Sequence, residues 1–435
     1  MILDAASTQR PRFPSPLSPI STEAVMPWEW VAFSAFVVGV LFNVSFQLQG
    51  QFFAGELLLL ALTPVLLFDR FYRQRVLLRA TQSTLWTPVN TLLMTLGVTF
   101  LGYFISDLYR NNAPQDFLRG WARLLFLAVD LLGIAMLVSV RRANFWLMVM
   151  GYGLGGIVVL TLQQVPFSFW KLGYAEPVNA ALIAAVCLMR STGHQGALLF
   201  LLGVLNIWLD YRSMAAFVVI VALIIWLNQW SRRGGVKVVG VLLISVLATG
   251  IIAGAYWASQ GQFSERRQAS NSGRLSNAIV GFSAILESPL IGYGSWGRDT
   301  RFAKLYAAVN ARMQKTEESA LYDFDAIRLA TIPAHSQFLE AWIEGGMLGI
   351  AFFLCYLFWL LKGLHAVIFK VRRVALVPLL AFCMVSGMWA LFMSPFKGMT
   401  RFTIAFAGLA AVIACQLARE AAAEEQVNRV HGEAA

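Results

Sequence analysis

The chain has 435 residues, is 58% hydrophobic and 13% charged, and carries a formal net charge of +11. A soluble domain of this length rarely combines such values. The basic residues are dispersed, with no recognition helix or aromatic–basic module, so the charge does not imply nucleic acid; no Walker loop and no zinc motif occurs.

The first 27 residues are Pro- and Ser-rich, with Arg10 and Arg12. They lack the apolar core and cleavage site of a secretory signal and read as a disordered cytoplasmic tail. Apolar runs then recur to residue 417. Most are long enough to cross about 30 Å of hydrocarbon as a helix, and lipid leaves no partner for a free backbone amide. The expected spans are 28–48, 52–69, 86–106, 119–139, 144–164, 173–189, 196–210, 214–230 and 238–257, then 341–361, 374–393 and 401–417. The expected fold is therefore an all-α polytopic membrane protein of about twelve transmembrane helices. Nine fall within 28–257 and three within 341–417, with a large loop at 258–340 and a tail at 418–435.

Basic residues test this parity. Arg70, Arg73, Arg75 and Arg79 occupy one loop, and Arg141 and Arg142 another. Arg232, Arg233 and Lys237 follow, then Lys362, Lys370, Arg372 and Arg373. Twelve spans put all of these on one side, which the positive-inside rule makes cytoplasmic together with both termini. The arrangement requires two short spans with a turn near Arg190 to His194, not one crossing over 173–210. Cys187, Cys355, Cys383 and Cys415 all lie in apolar runs without metal-ligand spacing and read as small buried hydrophobes.

By the same parity the 258–340 loop is periplasmic. Its length suggests a function, and it carries helical periodicity. Leu275, Ile279, Phe282 and Leu286 repeat at helical spacing, as do Phe302, Leu305, Tyr306, Val309 and Met313. Both stretches suit helices lying along the membrane surface, separated by a Gly- and Pro-containing turn at 289–299. The loop is rich in cations: Arg266, Arg267, Arg274, Arg298 and Arg301 among others. Arg212 lies in another outward turn, and Lys397 and Arg401 flank the last. Long translocated segments escape the positive-inside rule. The alternative is an anionic ligand, because guanidinium offers a planar fork of donors to phosphate oxygens.

Of four histidines, His335 alone lies where the long loop returns to the membrane. Pro333 favours a helix start soon after, so His335 is expected on its first turn. An imidazole there is suited to taking a proton from an alcohol; an interfacial polar residue without chemistry is the other reading. Asp130, inside an apolar span, is expected to pair with an arginine or to be protonated and structural. Glu56, near the outer end of the second span, is a lesser case.

Four segments resemble the bacterial O-antigen ligase and polymerase superfamily, whose members share about twelve helices and a large late periplasmic loop. GRLSNAIVGFSAILESPLIGYG supplies Arg274, Glu287, Pro289, Gly292 and Gly294. PAHSQFLEAWIEGGMLG supplies His335, Phe338, Leu339, Glu344, Gly346 and Gly349. LDYRSMAAFVV is similar to the family's Ser-Arg-Gly turn and places Arg212. AEPVNAALIAA resembles the Asn-Pro-Asn segment through Pro177 and Asn179. Ser336 stands where the family has Asn, and Tyr211 where it has Ser.

The resemblance implies a metal-independent, inverting glycosyltransferase of the bacterial inner membrane that needs no cofactor. The donor is a glycan on undecaprenyl diphosphate. The acceptor is lipid A–core for a ligase, or a second lipid-linked glycan for a repeat-unit polymerase. His335 is the implied general base. Arg212 and Arg274 are the implied diphosphate clamp, with Arg266 or Arg267 adding to it. Asp130, Arg298 and Glu344 are secondary candidates. A transporter or flippase of an anionic lipid-linked substrate remains a third reading, although no inverted repeat is evident.

Overall fold

A computed structural model describes residues 28–47, 50–77, 83–171, 173–230, 264–314, 331–371 and 375–433. These residues are overwhelmingly helical. The helices are α1 (Trp28–Leu41), α2 (Ala54–Leu77), α3 (Ser83–Arg110), α4 (Pro114–Val140), α5 (Ala143–Leu162), α6 (Ala175–Val186), α7 (Thr192–Trp208) and α8 (Arg212–Trp230). They continue with α9 (Ser264–Glu287), α10 (Thr300–Gln314), α11 (Gln337–Gly349), α12 (Ala351–Phe369), α13 (Val377–Met393) and α14 (Gly398–Glu433). A short antiparallel hairpin, β1 (Ser45–Gln47) and β2 (Gln51–Phe53), links α1 to α2, with Phe46 opposite Phe52.

Among the described residues, six helices are long and apolar enough to cross a bilayer, and four shorter apolar helices accompany them. The chain is thus a multi-pass, all-α membrane protein. Helix α14 is its central post. Its Ala405, Ala407, Ala410, Ala411 and Ala414 are buried, and small side chains let α4, α12 and α13 approach it closely. Its last turns run past the apolar run into the Ala/Glu-rich tail, whose residues favour helix. There Arg142, in the α4–α5 turn, reaches Glu420 with Nη1 2.8 Å from Oε2.

Short connections fold successive helices back on one another, so the turns divide between two ends of the bundle. One end, termed the upper, carries the β-hairpin and the turns at 111–113, 209–211 and 394–397. The opposite end carries Arg141, Arg142, Lys370 and Glu420. The α8–α13–α12 packing agrees. Asn228, near the end of α8, donates to Val367 and Val371 carbonyls at the end of α12. Phe217, near the α8 start, meets Trp389 near the α13 end at 5.5 Å.

Several sequence expectations need correction. The run expected as 28–48 stops being helical at Leu41, because Asn43 caps the chain there. Its Nδ2 donates to the Val40 carbonyl at 3.2 Å and the Tyr152 carbonyl of α5 at 2.9 Å, and the chain then turns into β1. The segment 173–210 forms two helices, α6 and α7, with Ser191 Oγ capping α7 by accepting from the His194 amide. The expected span 341–361 is not one helix. Gly346 breaks it at φ 61°, ψ −152°, a backbone region almost confined to glycine, and the apolar helix of bilayer length is α12. The expected span 238–257 lies outside the described residues.

In the long loop, α9 and α10 are helical as expected. They pack on each other and on α11 around Val280, Ala284, Ile285, Tyr293, Phe302 and Ile343. The turn between them is stitched to α11 by main-chain bonds. Tyr293 N donates to Ile343 O (2.7 Å), Gly294 N to Glu344 O (2.9 Å) and Met347 N to Leu290 O (3.1 Å).

A Cβ added at Gly346 would overlap the Leu290 carbonyl. Gly346→Ala should therefore cost at least about 3 kcal/mol of stability from strain and overlap, measured as a lower melting temperature of the detergent-solubilised protein than that of Gly345→Ala.

Candidate active site

The long loop is held on the bundle by a buried charge. Arg123 of α4 is only 4% exposed. Its Nη1 donates to Glu340 Oε1 (2.6 Å) and to the Phe396 carbonyl (2.7 Å), and its Nη2 donates to Glu344. Each carboxylate is used again: Glu340 Oε2 accepts from the Phe396 amide (2.7 Å) and Glu344 Oε1 from the Trp296 amide (3.0 Å). The guanidinium also lies 4.5 Å from the Phe396 ring centroid. One cation thereby ties together α4, α11, the 289–299 turn and the α13–α14 turn.

A second anchor lies beside it. Asp107, at the end of α3, accepts from the Ser295 amide (2.6 Å), the Ser295 hydroxyl (2.7 Å), Trp121 Nε1 (2.8 Å) and Asn112 Nδ2 (2.9 Å). The chain reaches Ser295 through Gly294, at φ 79°, where a side chain would collide with Asn112 and Asp107. Arg110 adds bonds from Nε to the Gly292 carbonyl (2.9 Å) and from Nη2 to Ser288 Oγ (2.7 Å).

His335 precedes α11 and does not lie on its first turn as expected. The helix begins at Gln337, and Ser336 is its cap, accepting from the Leu339 amide at 3.4 Å. The Ser336 hydroxyl also donates to the Leu391 carbonyl of α13 at 3.0 Å. The residue that departs from the family pattern thus orients its neighbour. His335 is half-buried. Its pKa lies below the usual 6.5, first because burial penalises the imidazolium and then because Arg274 and Lys397 repel a further proton. The imidazole is accordingly neutral at pH 7.

Two sequence-predicted residues, His335 and Arg274, therefore act on each other, with Arg274 exposed on α9 and Lys397 exposed in the α13–α14 turn. Arg212 begins α8 at the same upper end, 3.8 Å from Asp210; the Phe217–Trp389 and Ser336–Leu391 contacts bring the α8 start and His335 to the same end of α13. Arg266 and Arg267 lie on α9, and their side chains fall outside the described residues.

Other expected cations have structural partners. Arg298 donates to Asp116 at 2.8 Å, and Arg301 to Asp299 at 2.7 Å. Arg401, expected at the outward turn, is buried and binds Glu56 bidentately at 2.6 and 2.8 Å. Of the two expectations for Asp130, pairing with an arginine is not met, because the nearby Arg401 is engaged by Glu56. Asp130 is fully buried, close enough to Glu56 and Arg401 to feel their charge, and its oxygens accept no hydrogen bond among the described residues. Glu344 belongs to the Arg123 cluster, not to the exposed surface.

Sequence reading missed Arg123, Asp107 and Glu340. Arg123 was visible as a cation inside the apolar span 119–139, the signal that drew attention to Asp130. Lys397 was noted only as a flanking charge.

The fold and this upper face define a multi-pass membrane protein with a half-buried neutral imidazole among outward cations. Residues 178–354, from α6 into α12, match the family model described as O-antigen ligase, in agreement with the resemblance carried by the short motifs. Members of this family are glycosyltransferase-like enzymes acting on lipid-linked glycans. A comparison with curated proteins finds no match to the chain.

Removing Arg123 leaves two buried carboxylates without their counter-charge. Arg123→Met should destabilise the protein by about 3–5 kcal/mol and increase proteolysis within 289–299, read by limited digestion and mass spectrometry.

Proposed function

We propose that the chain transfers a glycan from undecaprenyl diphosphate to an acceptor hydroxyl at the periplasmic face of the inner membrane. Both termini are then cytoplasmic, 258–340 is the periplasmic loop, and 28–257 and 341–417 hold nine and three spans. The observation that carries this reading is the neutral His335 imidazole beside the fixed charges of Arg274 and Lys397.

In this mechanism His335 accepts the proton of the acceptor hydroxyl, and its neutral state leaves a ring nitrogen free to do so. The acceptor oxygen bonds to the anomeric carbon as the bond from that carbon to the diphosphate oxygen breaks. Attack opposite the leaving group inverts the anomeric centre. The electron pair goes to the diphosphate, whose growing charge Arg274 and Lys397 stabilise more in the transition state than in the bound donor. Arg212 extends the clamp from the α8 side, and Arg266 or Arg267 from α9. These cations supply the counter-charge without a metal.

The acceptor favoured is lipid A–core, making the chain an O-antigen ligase; the alternative is a second lipid-linked repeat, making it a polymerase. The family match supports glycan transfer of both kinds. Purified protein given donor alone should yield no ladder of longer glycans, and adding lipid A–core should yield a single transfer product. A ladder from donor alone identifies a polymerase, and no product with either acceptor overturns glycan transfer.

His335→Ala should lower kcat by about 10²–10⁴-fold, the usual worth of a general base, with the melting temperature unchanged. Retained turnover would remove the base assignment. The acid limb of kcat/KM should fall below pH 6.5, because burial and then the neighbouring cations favour the neutral ring. Arg274→Gln removes one of those cations, so His335 holds its proton to higher pH and the limb should move upward.

A further inference from the structure

Helix α9 is apolar on two opposite sides. Ser276, Val280 and Ala284 are buried against the loop domain's own core. On the far side, Leu275, Ile279, Phe282 and Leu286 are 53%, 38%, 54% and 80% exposed. At 3.6 residues per turn these four fall within about 60° of one another. A helix that is apolar on both sides requires a cover on both, and nothing within the described chain covers the second.

The outer stripe continues onto the lipid-length helices. Leu290, 68% exposed, follows α9, and its carbonyl accepts from the amide of Met347, itself 61% exposed. Leu348, next in α11, lies against Gly102 of α3. Leu101 and Ile105 flank that glycine and are 49% and 43% exposed on a helix long enough to span a bilayer. Exposed apolar side chains therefore recur from α3 through Met347 and Leu290 to three turns of α9. The series ends at Leu275, beside exposed Arg274.

We infer that α9 is an in-plane helix whose outer stripe, Leu275 to Leu286, is immersed in the acyl chains of the bilayer leaflet at the upper end of the bundle. Continuity with α3 selects lipid as the occupant, because exposed apolar side chains lead from Leu101 and Ile105, on a helix of bilayer length, through Leu348, Met347 and Leu290 to α9. The stripe is convex and uninterrupted, a shape suited to many acyl chains rather than to one tail in a groove. A cation at its end complements lipid phosphate. The immersion sets the depth of Arg274, holding its guanidinium at the phosphate level while the helix body stays below. This inference stands independently of the transfer reaction, since it concerns where α9 rests and not what His335 does.

The test uses full-length protein with Cys187, Cys355, Cys383 and Cys415 replaced by Ala, reconstituted in nanodiscs of phosphatidylethanolamine and phosphatidylglycerol. A bimane label is placed at Phe282→Cys or Leu286→Cys, with Thr300→Cys at the exposed start of α10 as the contrast. Brominated acyl chains should remove most emission from both stripe labels and little from the Thr300 label, while aqueous iodide should do the reverse. The 80% exposed Leu286 tolerates substitution, so a folding defect at Phe282 leaves the test intact. Iodide quenching of the stripe labels in the bilayer would overturn the inference. So would protection that appears only when two copies share a nanodisc, which identifies a second copy as the cover. Displacement of brominated lipid by added undecaprenyl phosphate would assign the stripe to a single tail instead. Glycan transfer measured on the same samples separates a failed immersion from a failed enzyme reading.

Discussion

A single guanidinium buried at the top of the bundle governs the geometry above it. Arg123 cannot be left without anions in that interior, because an unpaired buried charge costs several kcal/mol. Glu340 and Glu344 satisfy it, and both belong to α11. The helix that follows His335 is thereby fixed to α4. The carboxylates spend their remaining capacity on the amides of Phe396 and Trp296, so the two turns above are fixed by the same requirement. The segment carrying Lys397 and the segment leading to α10 derive their positions from one desolvated ion cluster.

Charge elsewhere on the upper face follows a related logic. Cations beside carboxylates hold structure: Arg298 with Asp116, Arg301 with Asp299, Arg401 with Glu56. Arg274 and Lys397 instead press their charge on an imidazole. The first group contributes little field to an incoming anion, because its partners neutralise it. The second makes the surroundings of His335 electropositive and adds to burial in disfavouring the imidazolium. The neutral ring leaves a nitrogen free to take a proton, and the cations favour negative charge growing nearby while opposing a lasting imidazolium.

Much of the fold was legible because hydrocarbon imposes a simple length rule. Ten of the expected apolar runs each fall on a single helix among the described residues, including the short pair α6 and α7 that charge parity demanded. The run 341–361 was misread because hydropathy does not register a backbone reversal, and Gly346 is as compatible with an apolar helix as with its end. His335 and Arg274 were legible as chemistry-bearing residues in motifs, and their electrostatic coupling is a tertiary fact. Arg123 illustrates the opposite failure. Its two partners lie more than 200 residues away in the chain, so no local pattern connects a cation in one span with two glutamates in another. Arg401 was assigned to the surface because it flanks a turn, whereas the β-hairpin and Glu56 fold over it.

The hydroxyl of Ser336 has a wider consequence. It fastens the residue next to His335 to the last turns of α13, a helix of 17 residues that extends about 26 Å. This is shorter than the hydrocarbon layer, which is about 30 Å thick. A helix too short for its surroundings is accommodated by local thinning of the bilayer or by snorkelling of its flanking residues. Arg274 rides on a different helix, α9, which packs on α11. The Ser336–Leu391 bond thereby makes the position of His335 depend on how the bilayer accommodates a helix shorter than itself.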